Sequence, residues 1–232
     1  MPTQPYNIRR LTSRTSPDFA AACASLPRSF GGDHISRAIN GGNTELEAAR
    51  LRAAITTAVL DLECYVAGGA GGEDDGGAKG ERDGVQAVML VKPPGIAHGD
   101  SPNAKGAHTA AVDALITDDA LRDAATTLFA TFQDIEARAF GPRRVTDMYY
   151  ISHLGVEAPA RGRGIARALV SHVIDRAAAE GVPVCLLTMT EENEALYRRL
   201  GFVSHAYLEA EIRGVPTRWW AMKTVPAPVA VE

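Results

Sequence analysis

Apolar residues recur every three or four positions in several stretches of the chain, the spacing that places them on one face of an α-helix. The clearest stretch begins at Ile165 and ends before Gly181, with its apolar face formed by Ile165, Ala166, Leu169, Val170, Val173, Ile174 and Ala177. A second follows Thr117 and carries Leu121, Ala125, Leu128, Phe132, Ile135 and Ala139. Weaker patterns predict helices from Pro17 through the DFAAACASL segment, over 44–60 and over 191–200.

Short runs rich in apolar, β-branched and aromatic residues predict the strands. They cover 6–11, 63–67, 85–91, 148–156 and 183–188, and a hairpin over 202–224 turns near Gly214. Some neighbouring strands are separated by helices and others follow one another directly. This order predicts an α+β fold with a mixed, mainly antiparallel central sheet flanked by helices.

Two stretches interrupt the pattern. Residues 68–84 are so rich in glycine and acidic residues that they cannot contribute to a core, and a second loose stretch spans 93–110. Both stretches are predicted to form flexible loops.

A chain of 232 residues with 46% hydrophobic content suits one domain with insertions. We therefore expect a single domain over 1–232, with the clearest functional pattern in 147–224.

The distribution of charge and the absence of long apolar segments limit the classes of partner that we expect. The 24 basic residues are dispersed among 28 acidic ones, so no basic stripe for nucleic acid is visible. No segment approaches the ~20 apolar residues of a membrane span, and the N-terminus lacks the apolar core of a signal peptide. We expect no membrane partner and a cytoplasmic location, with organellar targeting by the arginines and serines before Phe19 as an alternative.

The cysteines and histidines do not predict a metal or disulfide site. Cys23, Cys64 and Cys185 are scattered and odd in number, which favours reduced packing residues. The histidines show no H-x-x-x-H spacing, so no metal is expected.

Candidate chemistry lies between the 148–156 strand and the helix that starts at Ile165, where the sequence reads RGRGIA. Glycines let an anion approach the backbone amides, the helix start adds the positive end of its dipole, and arginines add charge. The sequence thus predicts a phosphate-binding loop. No Walker motif is present, and a dinucleotide fingerprint would need glycine where Arg167 stands. The alternative is a tight turn without a ligand.

The loop fits the [Q/R]-x-x-G-x-[G/A] pyrophosphate pattern. A second segment, NEALYRRLGF at 193–202, is similar to N-x-x-A/L-x-x-x-Y-x-x-x-G-F with offsets of one or two residues. One helix, one turn and one strand fit between the two motifs. Together they resemble the cofactor half of the GNAT superfamily of acetyl-CoA-dependent N-acetyltransferases. The resemblance covers 148–224 well and the N-terminal half only by the order of its elements.

The resemblance implies acetyl-CoA as co-substrate and a primary amine, on a small molecule or a peptide, as acceptor. The amine would attack the thioester directly in a ternary complex. The pyrophosphate would bind Arg161, Gly162, Arg163, Gly164, Ile165 and Ala166. The pantetheine arm would pair with the edge of the strand before the loop, at Leu154, Gly155 and Val156, whose N–H groups would also polarise the thioester carbonyl. Gly155 would permit this close approach.

Two residues of the second motif are candidates for the chemistry itself. Tyr197, protonated at neutral pH, would give its proton to the departing thiolate. Asn193, one turn earlier, would orient the cofactor or a water molecule. Both have structural alternatives: a half-buried helix tyrosine, and an asparagine that satisfies local backbone groups after Thr190.

A general base is not evident. Family members often carry Glu or His on the strand before the loop, but the matching face here carries Tyr150 and Ser152. Water-relayed deprotonation is the first hypothesis. His153 and Glu157, which strict alternation puts on the opposite face, are alternatives. The missing base also leaves a non-catalytic acyl-CoA-binding or regulatory module open.

The acceptor side carries few signals. Trp219 and Trp220, with Tyr207, could wall an acceptor pocket, but adjacent strand residues face opposite sides, so core packing is favoured. The pattern leaves open the amine, the length of the acyl chain and the oligomeric state, for which a dimer is one alternative.

Overall fold

The computed structural model of the chain describes residues 6–31, 33–69, 84–96, 100–103, 106–141 and 144–225. The predicted loop at 68–84 lies largely outside these ranges, because residues 70–83 are not described. Of the predicted loop at 93–110, residues 97–99 and 104–105 are not described. Within 93–110 one part of the prediction is wrong, since a helix begins at Ala107.

Seven helices and seven strands form in the described ranges. The helices are α1 (Pro17–Phe30), α2 (His34–Asn40), α3 (Thr44–Asp61), α4 (Ala107–Asp113), α5 (Asp119–Phe140), α6 (Ile165–Ala179) and α7 (Glu191–Arg199). The strands are β1 (Tyr6–Leu11), β2 (Glu63–Gly69), β3 (Ala87–Lys92), β4 (Tyr149–Val156), β5 (Val184–Thr188), β6 (Phe202–Ile212) and β7 (Val215–Thr224). No helix among the described residues combines the length and apolar character needed to cross a bilayer.

The strands form one sheet in the order β1-β2-β3-β4-β5-β7-β6. Neighbouring strands are antiparallel except β4 and β5, which run parallel because α6 connects them. The expected α+β fold with a mixed, mainly antiparallel sheet is therefore confirmed.

Helices cover both faces of the sheet. On one face the apolar stripe of α6, including Leu169, Val170 and Val173, packs with Met89 and Tyr149 in a continuous buried cluster. The other face carries two clusters, one under α1 and α3 against β1–β3, and one under α2 and α5 against β4–β7. The sheet thus has one continuous cover and one cover divided near β4.

Capping residues explain where two of the helices begin and end. α1 starts after Ser16, whose side chain accepts a hydrogen bond from the Asp18 N–H, with Pro17 in the first turn. α2 was not predicted, although Asp33 caps its start and Gly41, at φ 61°, ends it in the left-handed conformation. At seven residues it is too short for its apolar spacing to stand out.

Candidate functional site

Strands β4 and β5 stop pairing halfway along β4. They pair only at Tyr149↔Val184, Tyr150↔Cys185 and Ile151↔Leu186. Beyond that point β4 continues to Val156 beside β3, and β5 continues beside β7. In the described part of the sheet, the β5-facing edge of β4 therefore has no strand partner after Ile151. An extended chain with amide groups can pair there, as predicted for the pantetheine arm.

Helix α6 begins immediately beyond this edge with its first turn open. Its N-cap residue, Gly164, supplies no side-chain cap, whereas Ser16, Asp33, Asn43, Asp118 and Thr190 cap other helices with side-chain oxygens. Gly162 and Gly164 have φ of 75° and 87°, and a Cβ on either would meet no atom within 4 Å. The loop therefore presents N–H groups and a positive helix end to open space, the arrangement that binds phosphate.

The two arginines of the loop differ in what they contact. The Arg161 guanidinium donates to the Val156 carbonyl at 3.0 Å and to the Ser29 carbonyl at 2.8 Å, which ties the end of β4 to the end of α1. The Arg163 side chain is exposed, while its carbonyl accepts a hydrogen bond from the Tyr6 hydroxyl. Arg163 is thus the more available cation for an anion, and Arg161 holds the loop in place.

Position 155 requires a glycine because of helix α1, a reason that the sequence did not indicate. A Cβ at this position would lie 2.7 Å from Leu26 Cδ1 and 2.8 Å from Ser29 Cβ, so α1 fills the space above the glycine. Its neighbours Leu154 and Val156 are half-buried and pack against the cluster under α6. The glycine lets α1 approach β4, and only the strand edge remains for a ligand.

A β-bulge changes the faces of β4. Leu90 pairs with His153 and Val91 with Ile151, so Ser152 is an extra residue opposite the β3 backbone. His153 consequently lies on the same face as Tyr150, edge-on to Phe30 of α1 with ring centroids 6.3 Å apart. The expectation that His153 faces away from Tyr150 and Ser152 is wrong, because strict alternation does not survive a bulge.

Neither alternative base is poised to accept a proton. Burial lowers the pKa of His153 to about 4, so the imidazole is neutral at physiological pH but holds a proton weakly. Its Nδ1 lies 3.2 Å from the Ser152 hydroxyl. The Glu157 carboxylate, also on the α1 side, accepts hydrogen bonds from the Arg28 guanidinium, so an ion pair already occupies it.

The candidate acid and its neighbour lie on α7. Tyr197 is buried with its ring 5.5 Å from that of Phe202, and burial raises the pKa of its hydroxyl to about 12. Within the described residues the hydroxyl has no hydrogen-bond partner, so a protonated phenol is available. The Asn193 N–H donates to Thr190 Oγ1 at 3.2 Å, so here the threonine side chain satisfies the asparagine backbone, and the Asn193 side chain is exposed.

An open cleft lies beside β4 on the face that carries His153. It has a volume of about 290 Å³ and is lined by Ala53, Ala54, Thr57, Ala58, Leu62, Leu90, Thr109 and Ser152. Sequence reasoning missed it because α4, which supplies Thr109, was expected to be loop. Its walls are mainly apolar with three hydroxyl groups, which suits a small organic molecule.

The aromatic residues of the last hairpin pack as the alternation indicated. Trp219 is fully buried, 5.1 Å from the Phe132 ring, and its indole N–H donates to Thr217 Oγ1 at 2.8 Å. Trp220 lies on the other face, 5.2 Å from Tyr207.

The three cysteines are buried free thiols, and burial raises the pKa of Cys64 and Cys185 to about 12. The prediction of packing cysteines is confirmed.

Comparisons with known proteins agree with this geometry. Residues 125–204 match the family model of the acetyltransferase (GNAT) domain. No curated protein matches the chain.

Solved structures with a similar fold extend the likeness over nearly the whole chain. Arylalkylamine N-acetyltransferase 2 from Aedes aegypti is 18% identical with a TM-score of 0.60, covering 95% of this chain and 100% of that one. The putative arylalkylamine N-acetyltransferase 7 of the same mosquito is 15% identical with a TM-score of 0.62, covering 94% and 87%. A structure described as histone acetyltransferase HPA2 and related acetyltransferase from Corynebacterium glutamicum is 21% identical with a TM-score of 0.56, covering 97% and 99%. At these identities the likeness establishes the fold.

Proposed function

We propose that this chain, in which residues 125–204 match the family model of the acetyltransferase (GNAT) domain, transfers the acetyl group of acetyl-CoA to the nitrogen of a primary amine by direct attack in a ternary complex. The observation that carries the proposal is the parting of β4 from β5 beside the uncapped start of α6. A bare strand edge and an open helix start, placed end to end, match an extended cofactor with amides at one end and a diphosphate at the other.

The diphosphate would bind the loop from Arg161 to Ala166. The open N–H groups of the first turn of α6 would donate to the phosphate oxygens, and the exposed Arg163 would add charge. Arg161 would act mainly by keeping the loop against the ends of β4 and α1.

The pantetheine arm would lie along the free edge of β4 at Leu154, Gly155 and Val156. Backbone N–H groups on this edge would donate to the thioester carbonyl oxygen, where negative charge develops during attack. The division of the sheet at Ile151 supports this placement, because β5 no longer occupies the edge there.

Attack by the amine nitrogen on the carbonyl carbon would give a tetrahedral intermediate, and the carbon–sulfur bond would then break. The Tyr197 hydroxyl, whose pKa of about 12 keeps it protonated, would give its proton to the departing sulfur. Asn193, one turn away, would orient the cofactor or a water molecule. Holding amine and thioester together would itself supply a large part of the rate.

The acceptor would enter from the face that carries the cleft beside Ser152. The two mosquito proteins of similar fold are named for amine acceptors, and we infer the same broad class, a primary amine, for this chain. The mainly apolar walls favour a small organic amine over a highly charged one.

The test is a panel of primary amines assayed for release of the free CoA thiol, with Tyr197→Phe beside the wild type. The variant should lose ~10²-fold in kcat because sulfur leaves without an acid. CoA affinity, measured by calorimetry, should stay the same.

Tyr65→Phe is the matched control, since Tyr65 is a buried tyrosine on the same side of the sheet that is not near the parted strands. It should keep wild-type kcat. If wild-type protein binds CoA but releases no thiol with any amine, the chain is an acyl-CoA-binding module instead of an enzyme.

A further inference from the structure

The cleft on the α1 side of the sheet adjoins the point where β4 and β5 stop pairing. Its floor is formed by Leu90 of β3 and Ser152 of β4. Ser152 directly follows Ile151, the last residue of β4 that pairs with β5. The bulge makes Ser152 an extra residue here, and its side chain is exposed. The cleft is therefore continuous with the inner end of the free strand edge.

Helices α3 and α4 form the two walls of the cleft, and a carboxylate at the end of α3 joins them. Asp61 Oδ1 accepts a hydrogen bond from Asn103 Nδ2 at 2.7 Å. Asp61 Oδ2 accepts from the Asn103 N–H at 2.8 Å and from the Ser101 hydroxyl. These bonds fasten residues 101–103 to α3, and α4 packs along α3 with Thr109 on the cleft. Both walls are thus held by specific contacts.

The side chains of the walls limit what the cleft can hold. Helix α3 contributes three alanines and one threonine to it: Ala53, Ala54, Thr57 and Ala58. Among the described residues that line the cleft, none is charged. An ammonium group inside it would lose its hydration without a carboxylate to replace the water, which is costly. A volume of about 290 Å³ lies at the small end of the range for small-molecule pockets. The occupant should therefore be neutral and compact.

Two hydroxyl groups in the cleft already have acceptors within the protein for their protons. The Thr109 hydroxyl donates to the Gly106 carbonyl at 2.6 Å. The Ser152 hydroxyl donates to the Leu90 carbonyl at 3.3 Å, and its oxygen lies 3.2 Å from His153 Nδ1. Because a hydroxyl has one proton and two lone pairs, each of the two oxygens can still accept a hydrogen bond. A hydrogen-bond donor on the occupant would match them.

The distance along β4 sets the length of the link between the occupant and the reacting nitrogen. Leu154, where the thioester is proposed to begin its contact with the strand, lies two residues beyond Ser152. Two residues of strand span roughly 7 Å. A short alkyl chain between the body of the acceptor and its nitrogen is enough to cover this separation.

We propose that the cleft holds the body of the acceptor and selects amines in which a short chain joins the nitrogen to a compact, neutral body that carries a hydrogen-bond donor. The inference rests on the proposed function and names the class of amine. Hydroxylated arylalkyl amines belong to this class. Polyamines, which carry further charges, and lysine-bearing peptides, which are too large for the cleft, do not.

Ala54→Leu tests the cleft by filling it, since Ala54 is a half-buried wall residue. The experiment compares KM and kcat for phenylethylamine, whose ring needs the cleft, and kcat/KM for ethylamine, which has no body to place there. KM for phenylethylamine should rise ~10-fold or more, because a pocket that has lost room for the ring rejects it. The kcat/KM for ethylamine and the affinity for CoA should stay the same.

Ala49→Leu is the matched control. Ala49 is a half-buried alanine of the same helix that does not line the cleft. The same enlargement there should leave the kinetics with both amines at wild-type values, which separates a filled cleft from a general disturbance of α3.

A second comparison tests the two hydroxyl groups. Wild type should use tyramine roughly five-fold more efficiently than phenylethylamine, because the added phenol donates to Ser152 or Thr109. The double variant Ser152→Ala/Thr109→Val removes both acceptors and should abolish this preference.

Three results would overturn the inference. They are a wild type that acetylates spermidine as efficiently as tyramine, a wild type that uses tyramine no better than phenylethylamine, and an Ala54→Leu variant whose kcat/KM for both test amines changes by one factor. If Ala54→Leu does not fold, the tyramine preference and its loss in the double variant decide the matter. Failure of the proposed function looks different, because wild-type protein then binds CoA and releases no thiol with any amine.

Discussion

Helix α6 has two polar ends that differ in how far their hydrogen-bonding groups are satisfied. At its start Gly162 and Gly164 leave the first-turn amides uncapped and open. Near its end the Arg176 guanidinium donates to both oxygens of Glu63 at 2.8 and 2.9 Å and to the Tyr65 hydroxyl at 3.1 Å, and lies 4.9 Å over the Tyr149 ring. The satisfied end fixes the helix on the sheet, and the open end is available to a ligand.

The energetics of the two ends follow from exposure. The Glu63 side chain is 3% exposed, and its buried carboxylate forms ion pairs with Arg176 at 2.8 Å and with Arg10 at 3.5 Å. The amides at the start of α6 face water, so the folded protein loses little by leaving them without a protein partner. Stability should therefore depend on the Arg176 end, and cofactor affinity on the Gly164 end.

Gly164→Asp should give the largest effect on the open end. A carboxylate there would repel the diphosphate at close range and weaken CoA binding ~10²-fold or more. Calorimetry with CoA measures the change. Gly164→Asn is the matched control, because it has the same size and tolerates a positive φ but carries no charge. Equal weakening by Asp and Asn would assign the effect to backbone strain instead of to charge.

Arg176→Gln should reverse the pattern. Loss of the guanidinium leaves Glu63 buried with the Tyr65 hydroxyl and the longer contact to Arg10 as its partners. Since Arg176 itself is partly exposed, the unfolding free energy should fall by about 2 kcal/mol rather than by the full value for a buried pair. Urea unfolding measures it. CoA affinity should change by less than about two-fold, as expected for distant sites. A large loss of affinity in folded protein would contradict the separation of the two ends.

Thr190→Ala tests the contrast between a capped and an uncapped helix with the smallest effect. Thr190 caps α7 by accepting from the Asn193 N–H at 3.2 Å. Its removal should cost about 1 kcal/mol of stability. Thermal unfolding measures the loss, and CoA should bind as before. A stability unchanged by the substitution would mean that this cap contributes nothing.

Local patterns predicted most of the fold. The period of apolar residues identified α5 and α6, the alternation of the hairpin placed Trp219 and Trp220 on opposite faces, and RGRGIA with NEALYRRLGF indicated the superfamily. The fold class is confirmed, and residues 125–204 match the family model of the acetyltransferase (GNAT) domain, as the two motifs indicated. The roles of Tyr197, Asn193 and the loop residues stay predictions.

The parts that failed depend on contacts distant in sequence or on short elements. The bulge at Ser152 arises from pairing with β3, and it moved His153 to the other face. Helix α4, which borders the cleft, has seven residues and no side-chain cap.

The most direct test of the central claim, that the start of α6 holds the diphosphate, is a titration of isotope-labelled protein with CoA followed by amide NMR. We expect the largest shifts at the N–H groups of Gly162 to Ala166 and along Leu154 to Val156, with little change around Arg176. Saturable CoA binding that leaves the amides from Gly162 to Ala166 unshifted would contradict it.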